Sequence, residues 1–380
     1  MSVILTEEQR AFATAIREFC EREAGTREQL TALSDERLRG HNRDLYEKLA
    51  KLGYVGVSVP EAYGGGGGGA VELCLMIEEV NRGLLPVAGL GVSMIVSGPY
   101  DRFGTEAQKQ EILGGICAGR VEAIAMSEPD AGSDVANLST RAVLVDDHYV
   151  INGQKMWTTA AHVADHLLVV CRTDPKSDKH EGLSMISVPT DTPGLTIRGI
   201  ETMGGSEVNE VFFTDVTVPA DRLLGVPGNG WRQLMAGLNH ERLLCAAQGV
   251  GRAQRAFDDV LAYVKQRKQF GQTIGSFQAV RHRLADLATA IESTRHFVYG
   301  IARLVDENPG KTYPREASMA KLQAAELAKR TTLEAMQMMG GAGYAVEFGM
   351  ESQFRQAMAI TIGGGVAEIQ RDIIAKTYGL

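Results

Sequence analysis

The chain has 380 residues, 44% of them hydrophobic and 23% charged, with a net charge of −8 at neutral pH. That length builds one large unit or two to three subdomains, and the composition is that of an ordinary globular protein. The acidic excess argues against nucleic acid as a partner, and no apolar run approaches the roughly 20 residues that a membrane span needs. The N-terminus, MSVILTEEQRAF, has no basic flank and no long apolar core, so no signal peptide is expected. The five cysteines, Cys20, Cys74, Cys117, Cys171 and Cys245, are scattered without a CxxC pair. An odd, dispersed set fits a reduced, cytoplasmic protein.

Taken in order, Thr6 followed by Glu7, Glu8 and Gln9 is a helix cap with acids in the first turn. Phe12, Ile16 and Phe19 then recur at helical spacing. Asp44 to Leu52 predicts a second helix carrying Leu45, Leu49 and Leu52. Val55–Gly69 ends in six consecutive glycines, which no regular element accommodates. No Gly-Lys-Ser/Thr follows, so a phosphate-binding P-loop is excluded and a flexible surface loop is expected. Helices are predicted over 70–82, 86–98 and 105–118.

Between about 121 and 228 the period changes. Ala142–Val145, Tyr149–Ile151, Leu167–Cys171, Leu183–Val188 and Val211–Val218 are short, rich in Val, Ile and Leu, and separated by Asp, Gly, Pro or Asn. A β-domain, a small barrel or sandwich, is expected. His162 and His166 stand at i, i+4 spacing, but in a turn-to-strand region without an acid motif, so no metal site is expected.

Within this region Ala125–Thr159 stands out. It opens with AMSEPDAGSD, a small-residue turn where Gly132 permits unusual backbone angles and Ser127 and Ser133 offer hydroxyls. It closes with Trp157, Thr158 and Thr159, an indole beside two hydroxyls, which suits a planar ring with polar edges. An ordinary turn and a buried tryptophan explain the same residues equally well.

From Gly228 the pattern is helical again. Phe277, Val280, Leu284, Leu287 and Ile291 form one stripe, and Phe257, Leu261 and Val264 another. Long apolar-faced helices with short links predict a four-helix bundle. The expected fold is therefore α+β and multidomain: a helical domain over 1–120, a β-barrel or sandwich over 121–228, and a C-terminal four-helix bundle over 229–380.

The segment Met126-Ser-Glu-Pro-Asp-Ala-Gly-Ser-Asp134 resembles the flavin- and thioester-binding motif of the acyl-CoA dehydrogenase family, and the resemblance extends over nearly the whole chain. It departs at Asn137, where the family has a small residue, and in the length of the glycine run after Val-Pro-Glu-Ala-Tyr63. The resemblance implies FAD as cofactor. It assigns Met126, Ser127, Trp157 and Thr159 to the flavin and Ser133 to the pantetheine arm of coenzyme A or its neighbourhood on the cofactor. Arg267-Lys-Gln-Phe270-Gly271 and Gln337-Met-Met-Gly-Gly341-Ala-Gly-Tyr344 resemble segments that reach the flavin of a neighbouring subunit. Arg267 has the planar fork that pairs with phosphate oxygens. Glu368 falls at a position where the family has Gln or Glu and is placed with the cofactor-binding residues.

Dehydrogenation between Cα and Cβ of a thioester needs a carboxylate to take the α-proton, donors for the charge on the thioester oxygen, and a flavin to accept hydride. Many family members carry the base in a Tyr-Glu-Gly-Thr segment. This chain has Gly363, Gly364, Gly365 and Val366 there, so the usual base position is Gly364. Leu238-Asn-His-Glu-Arg-Leu243 resembles the branch that includes isovaleryl-CoA and long-chain acyl-CoA dehydrogenases. Glu241 then stands at the alternate base position with Arg242 as its motif partner, and the Gly364 N–H is left to meet the thioester oxygen. Gly363 and Gly364 also imply a roomier acyl pocket.

The resemblance implies an acyl-CoA substrate, an electron-transferring flavoprotein or similar acceptor, and a homo-oligomer, commonly a dimer of dimers. Other readings stay open. Gln356, where the family has Asp after Arg355, and the Gly-rich stretch 363–365 fit a non-catalytic partner in a heteromer. A reductase acting on an enoyl-CoA is also compatible with the sequence. A nitroalkane-oxidising relative uses an Asp base, which the Glu here argues against.

Overall fold

The computed structural model describes residues 5–35 and 40–380; the reading of the first four residues lies outside them. The first helix, α1 (Glu7–Ala24), starts at the expected cap: the Thr6 hydroxyl accepts from the Gln9 N–H, and the Gln9 side chain returns the bond to Thr6. It buries Ala13, Ile16 and Phe19, the face that the spacing predicts. A short helix not expected from the sequence, α2 (Arg27–Leu33), follows. Then come α3 (Arg43–Lys51), α4 (Ala70–Arg82), α5 (Ala88–Phe103) and α6 (Glu106–Cys117). α5 runs further than the sequence suggests because it carries Pro99 inside it.

The described residues gather into two packed units. One holds those up to Arg27, Gly69–Leu85 and Glu241–Leu380; the other holds Glu28–Gly68 and Pro86–His240. Packing order is thus not sequence order, since α1 and α4 belong with the C-terminal helices.

In the first unit, α4 is buried on every side from Ala70 to Val80, which is unusual for a helix that carries Glu78 and Glu79. Both acids are compensated. Glu78 accepts from Arg295 Nε and from the Tyr299 hydroxyl, each at 2.8 Å, and Glu79 accepts from Arg17 Nε at 3.0 Å. The start of α4 is held by Asp306, which accepts from the Ala70 and Val71 N–H groups at 2.6 and 3.1 Å. A carboxylate at a helix N-terminus satisfies donors that the helix leaves open. Around α4 lie the long helices α7 (Gly230–Gln266, from Glu241 on), α8 (Gln278–Glu307) and α9 (Pro314–Met339), then α10 (Gly341–Tyr344), α11 (Met350–Ile362) and α12 (Ala367–Lys376). Of the predicted stripe, Leu284, Leu287 and Ile291 are buried; Leu284 and Leu287 pack in one cluster with Val260, Val264, Met338 and Met350.

In the second unit the expected β-region is one seven-stranded sheet. Its strands are β1 (Glu122–Ala125), β2 (Arg141–Val145), β3 (His148–Thr159), β4 (His166–Arg172), β5 (Leu183–Pro189), β6 (Leu195–Thr202) and β7 (Gly205–Pro219). β4 pairs with β5 along one edge; its other edge pairs with β1 at one end and meets β2 at Arg141–Arg172 at the other. β4 reads as an unbroken apolar run over Leu167–Cys171, and β5 buries even Ser184 and Ser187, because both strands are covered on both faces. β6 escapes sequence reading because it is mostly exposed and polar. β3 extends far past the predicted Tyr149–Ile151 and takes in the whole Asn152–Thr159 segment.

The glycine run is not a free loop. The N–H groups of Gly64, Gly65, Gly66, Gly67 and Gly68 donate to the carbonyls of Glu61, Pro60, Gly56, Val59 and Val57. A Cβ at Gly65 would stand 2.0 Å from the Val59 carbonyl oxygen, so the chain can fold back on itself here only without a side chain.

The buried network on α4 makes a prediction. Glu78→Ala removes the acceptor of the Tyr299 hydroxyl and the buried carboxylate that meets Arg295 Nε, and is expected to cost about 3–5 kcal/mol in urea unfolding. Glu292→Ala, which removes the half-exposed second partner of Arg295, is expected to cost about 1 kcal/mol or less.

Candidate active site

In the sheet unit, β1 ends at Ala125 and delivers Met126, Ser127 and Glu128 beside the far end of β3. Three bonds fix this junction. The Met156 N–H donates to the Ser127 carbonyl at 2.8 Å, and Lys155 Nζ donates to the Met126 carbonyl at 2.9 Å and to Glu128 Oε1 at 2.8 Å. Glu128 also accepts from the Thr140 N–H at 2.9 Å and from the Ser139 N–H and hydroxyl, both at 2.7 Å. Burial pushes the Glu128 carboxyl up, but Lys155 and these donors outweigh it and hold it at about 2. Glu128 and Ala131 exchange both backbone bonds at 3.1 Å, closing the turn over Pro129-Asp130.

β3 is irregular at the same place. Its pairing with β7 slips between Lys155 and Thr158. Trp157, within the slip, adopts φ 59°. A left-handed backbone at a bulky residue costs on the order of 1–3 kcal/mol, and a bulge turns its side chain out of the ladder. Trp157 is 54% exposed, so the buried-tryptophan reading is corrected: the indole is turned outward by a strained bulge. Thr158 is buried, its hydroxyl without a hydrogen-bond partner among the described residues, and Thr159 is half-buried. The structure thus brings Met126, Ser127, Trp157 and Thr159 to one place. Ser133 lies beyond the turn, exposed, its hydroxyl making no bond to the described residues. His162 and His166 serve the fold: His162 meets Asn209 at 3.2 Å and His166 meets Glu122 at 3.0 Å.

In the helical unit, α7 runs into a tight hairpin of β8 (Lys268–Gln269) and β9 (Gln272–Thr273). Its turn is Phe270-Gly271, with φ 51° and 81°. Two left-handed residues make the twist that a two-residue hairpin needs, yet phenylalanine is a poor choice for such a place. Phe270 is 93% exposed and touches Phe277 edge-on at 6.2 Å. Arg267 is exposed with no ion-pair partner among the described residues. Gln337 and Gly341 flank the end of α9, where Gly340 turns the chain at φ 61°. The cluster of Val264, Met338 and Met339 lies beneath both segments. Tyr344 just beyond is 81% exposed.

Glu241 and Gly364, far apart in sequence, meet in the same unit. Glu241 on α7 is 7% exposed, and a Cβ at Gly364 would stand 3.4 Å from Glu241 Oε1 and 3.1 Å from Cys245 Sγ. Glu241 Oε2 is buried without a hydrogen-bond partner among the described residues. Burial pushes this carboxyl above its ordinary value against the pull of Arg242 and Lys321. Arg242, also buried, has its guanidinium pushed down by burial.

The Gly363–Gly365 turn is held from behind. Lys321 Nζ donates to the Gly365 carbonyl at 2.7 Å, and Gln370 Nε2 donates to the Gly364 and Gly365 carbonyls at 3.1 and 3.0 Å. Gly364 itself has φ 65° and its N–H makes no bond to the described residues. Glu368 points elsewhere: it is exposed at the start of α12, 3.7 Å from Arg371.

Sequence reasoning missed Lys321, Gln370 and Cys245. The signal for Lys321 was present, since it interrupts the buried alanine face of α9 formed by Ala317, Ala324 and Ala328. A lysine on such a face calls for an acceptor.

The Glu128 pair carries a pH prediction. Its folded value of about 2 lies below the ordinary 4.5, so it stabilises the sheet unit above that range and the contribution is lost as pH falls from 4.5 toward 2. Thermal unfolding across this window should drop steeply for the native chain. For Glu128→Gln it should be flatter, from a neutral-pH stability lower by about 3–5 kcal/mol.

Comparison with known proteins supplies the family. Family models match residues 6–120 as an acyl-CoA dehydrogenase N-terminal domain, 123–216 as the middle domain and 228–379 as the C-terminal domain. A probable acyl-CoA dehydrogenase of Bacillus subtilis is 39% identical over 383 residues, covering 99% of each chain. Mitochondrial isovaleryl-CoA dehydrogenase of Arabidopsis thaliana is 36% identical over 339 residues, covering 88% of this chain and 82% of its own. The crystal structure of an acyl-CoA dehydrogenase from Geobacillus kaustophilus superposes with a TM-score of 0.92 at 38% identity over the full length of both chains. The three-part fold, the outward-facing tryptophan and the buried glutamate thus sit in a chain that belongs to the acyl-CoA dehydrogenase family of flavin-dependent oxidoreductases.

Proposed function

We propose that this chain dehydrogenates an acyl-CoA thioester between Cα and Cβ, with Glu241 as the base that removes the α-proton. The observation that carries the reading is the position of Glu241 Oε1, 3.4 Å from where a side chain at residue 364 would begin. A carboxylate lost at one site is replaced by a carboxylate reaching the same space from another helix. A dry carboxyl with a raised pKa is a stronger base once ionised. Keeping it buried is costly, which weighs against a non-catalytic subunit.

The surface near Ser127 fits a flavin ring: an exposed indole held outward, the Met126–Ser127 backbone and the hydroxyls of Ser127 and Thr159 at one edge. FAD, when bound, supplies the acceptor for the hydride that leaves Cβ. Arg267 suits a pyrophosphate and exposed Phe270 suits a neighbouring surface, so a second copy of the chain, in a homo-oligomer, is the partner these residues favour. Glu368, turned toward Arg371, has the weakest support among the cofactor residues. The Gly364 N–H, free of any described partner, is the donor assigned to the thioester oxygen, with Gly363 beside it. Arg242 and Ser133 are assigned to the substrate side. The acceptor that reoxidises the flavin is assigned to an electron-transferring flavoprotein or a similar carrier. Among the described residues no helix is long and apolar enough to cross a membrane.

The roomy pocket expected from Gly363-Gly364 needs revision at its inner end. Glu241 and Cys245 already border the space that a side chain at 364 would fill, so any extra room for a branched, long or ring-bearing acyl group lies on the Gly363 side.

Glu241→Gln is expected to keep its flavin and to lose about 10²–10⁴-fold in the rate at which an acyl-CoA panel bleaches it. The native rate should rise with pH through a value above the ordinary carboxylate range, because only the ionised form accepts the proton and burial raises its pKa. A Glu241→Gln protein reduced at the native rate would overturn the assignment.

A further inference from the structure

We propose that Lys321 is a positioning residue for this reaction, holding the Gly363–Gly365 turn in place while setting the ionisation of Glu241 through its charge. The inference rests on the reading of Glu241 as the base.

Lys321 is fully buried on α9, and its ammonium has one direct acceptor among the described residues, the Gly365 carbonyl at 2.7 Å. A neutral carbonyl satisfies a hydrogen bond but not a buried charge. The groups facing the ammonium are Glu241, Arg242 and Cys245 on α7 and Glu368 on α12. Glu368 is exposed beside Arg371, and burial pushes the Cys245 thiol up to about 12 and keeps it neutral, which leaves Glu241 as the buried carboxylate that offsets the lysine. The groups facing Glu241 are Arg242 and Cys245 on α7 and Lys321 across from it on α9. A Cβ at Gly364 would lie within 3.9 Å of Lys321 Cε and 3.4 Å of Glu241 Oε1, so lysine, turn and carboxylate share one small space.

The arrangement answers a conflict in the site. Burial that makes Glu241 a stronger base also drives it toward the neutral acid, which accepts nothing. A second buried cation, anchored on the Gly365 carbonyl, moves the balance back toward the carboxylate. Gln370 takes up part of the mechanical work by donating to the Gly364 and Gly365 carbonyls, so the turn does not depend on Lys321 alone. Charge and clamp are therefore separable.

The test compares Lys321→Gln, which keeps a donor for the Gly365 carbonyl and removes the charge, with Lys321→Arg, which keeps the charge. The readout is the infrared band of the protonated carboxyl that disappears in Glu241→Gln, titrated in the full-length protein without substrate. Lys321→Gln should raise its apparent pKa by about one unit or more, and Lys321→Arg should leave it near the native value. The pH at which flavin reduction by acyl-CoA becomes half-maximal should move up with it. An unchanged carboxyl titration in Lys321→Gln overturns the proposal, while the base assignment is judged separately by the reduction rate of Glu241→Gln. If Lys321→Gln does not fold, the coupling is read from the other side, because it is reciprocal. In Glu241→Gln the Lys321 ammonium, followed by nitrogen NMR, should titrate at lower pH than in the native chain, and an equal titration overturns the proposal.

Discussion

Of the glutamates this chain keeps out of water, Glu128 and Glu241 stand in the two candidate site regions, and the way each is compensated organises the residues around it. Glu128 is enclosed by Lys155, Thr140 and Ser139, and its carboxyl is held at about 2. Glu241 keeps one oxygen without a hydrogen-bond partner among the described residues, and burial pushes its carboxyl up. The same residue type is held ionised in one place and pushed toward its neutral form in the other. Environment alone makes the difference, as in enzymes that assign acid and base roles to like groups.

The permanent anion does structural work. By drawing Lys155 and the Ser139-Thr140 backbone to itself, Glu128 fixes the end of β1 against β3. That junction places Met126 and Ser127 beside the bulge that turns Trp157 outward. The backbone strain at Trp157 is tolerated because the surrounding strand pairing overdetermines it, a common circumstance at ligand sites. In the helical unit, Phe270 carries a comparable strain on an exposed hairpin tip, where it makes an edge contact with Phe277.

The C-terminal turn illustrates how an absence can be functional. Gly364 adopts φ 65°, and a side chain there would press on Cys245 and Glu241. Glycine suits this place by its positive φ and by the tight approach of Cys245 Sγ, and Lys321 and Gln370 hold the bare turn by its carbonyls.

Much of this was legible in the chain itself. Caps and apolar periods located α1, α3, α4 and α6, because local hydrogen bonding and burial repeat with the helical turn. Short β-branched runs marked β2, β4, β5 and β7 for the same local reason. The Met126–Asp134 and Glu241-Arg242 motifs pointed to the family. What the sequence could not decide was anything set by partners distant along the chain. It left open whether Trp157 faces inward or outward, which a bulge between β3 and β7 settles. It misread the glycine run as flexible, because the carbonyls that tie it down lie a few residues upstream in a fold-back that requires bare backbone. It gave no role to Lys321, whose acceptor is more than forty positions away. Periodicity records which face of an element is buried; only the tertiary structure records what that face meets, and the ionisation of a buried group depends on what it meets.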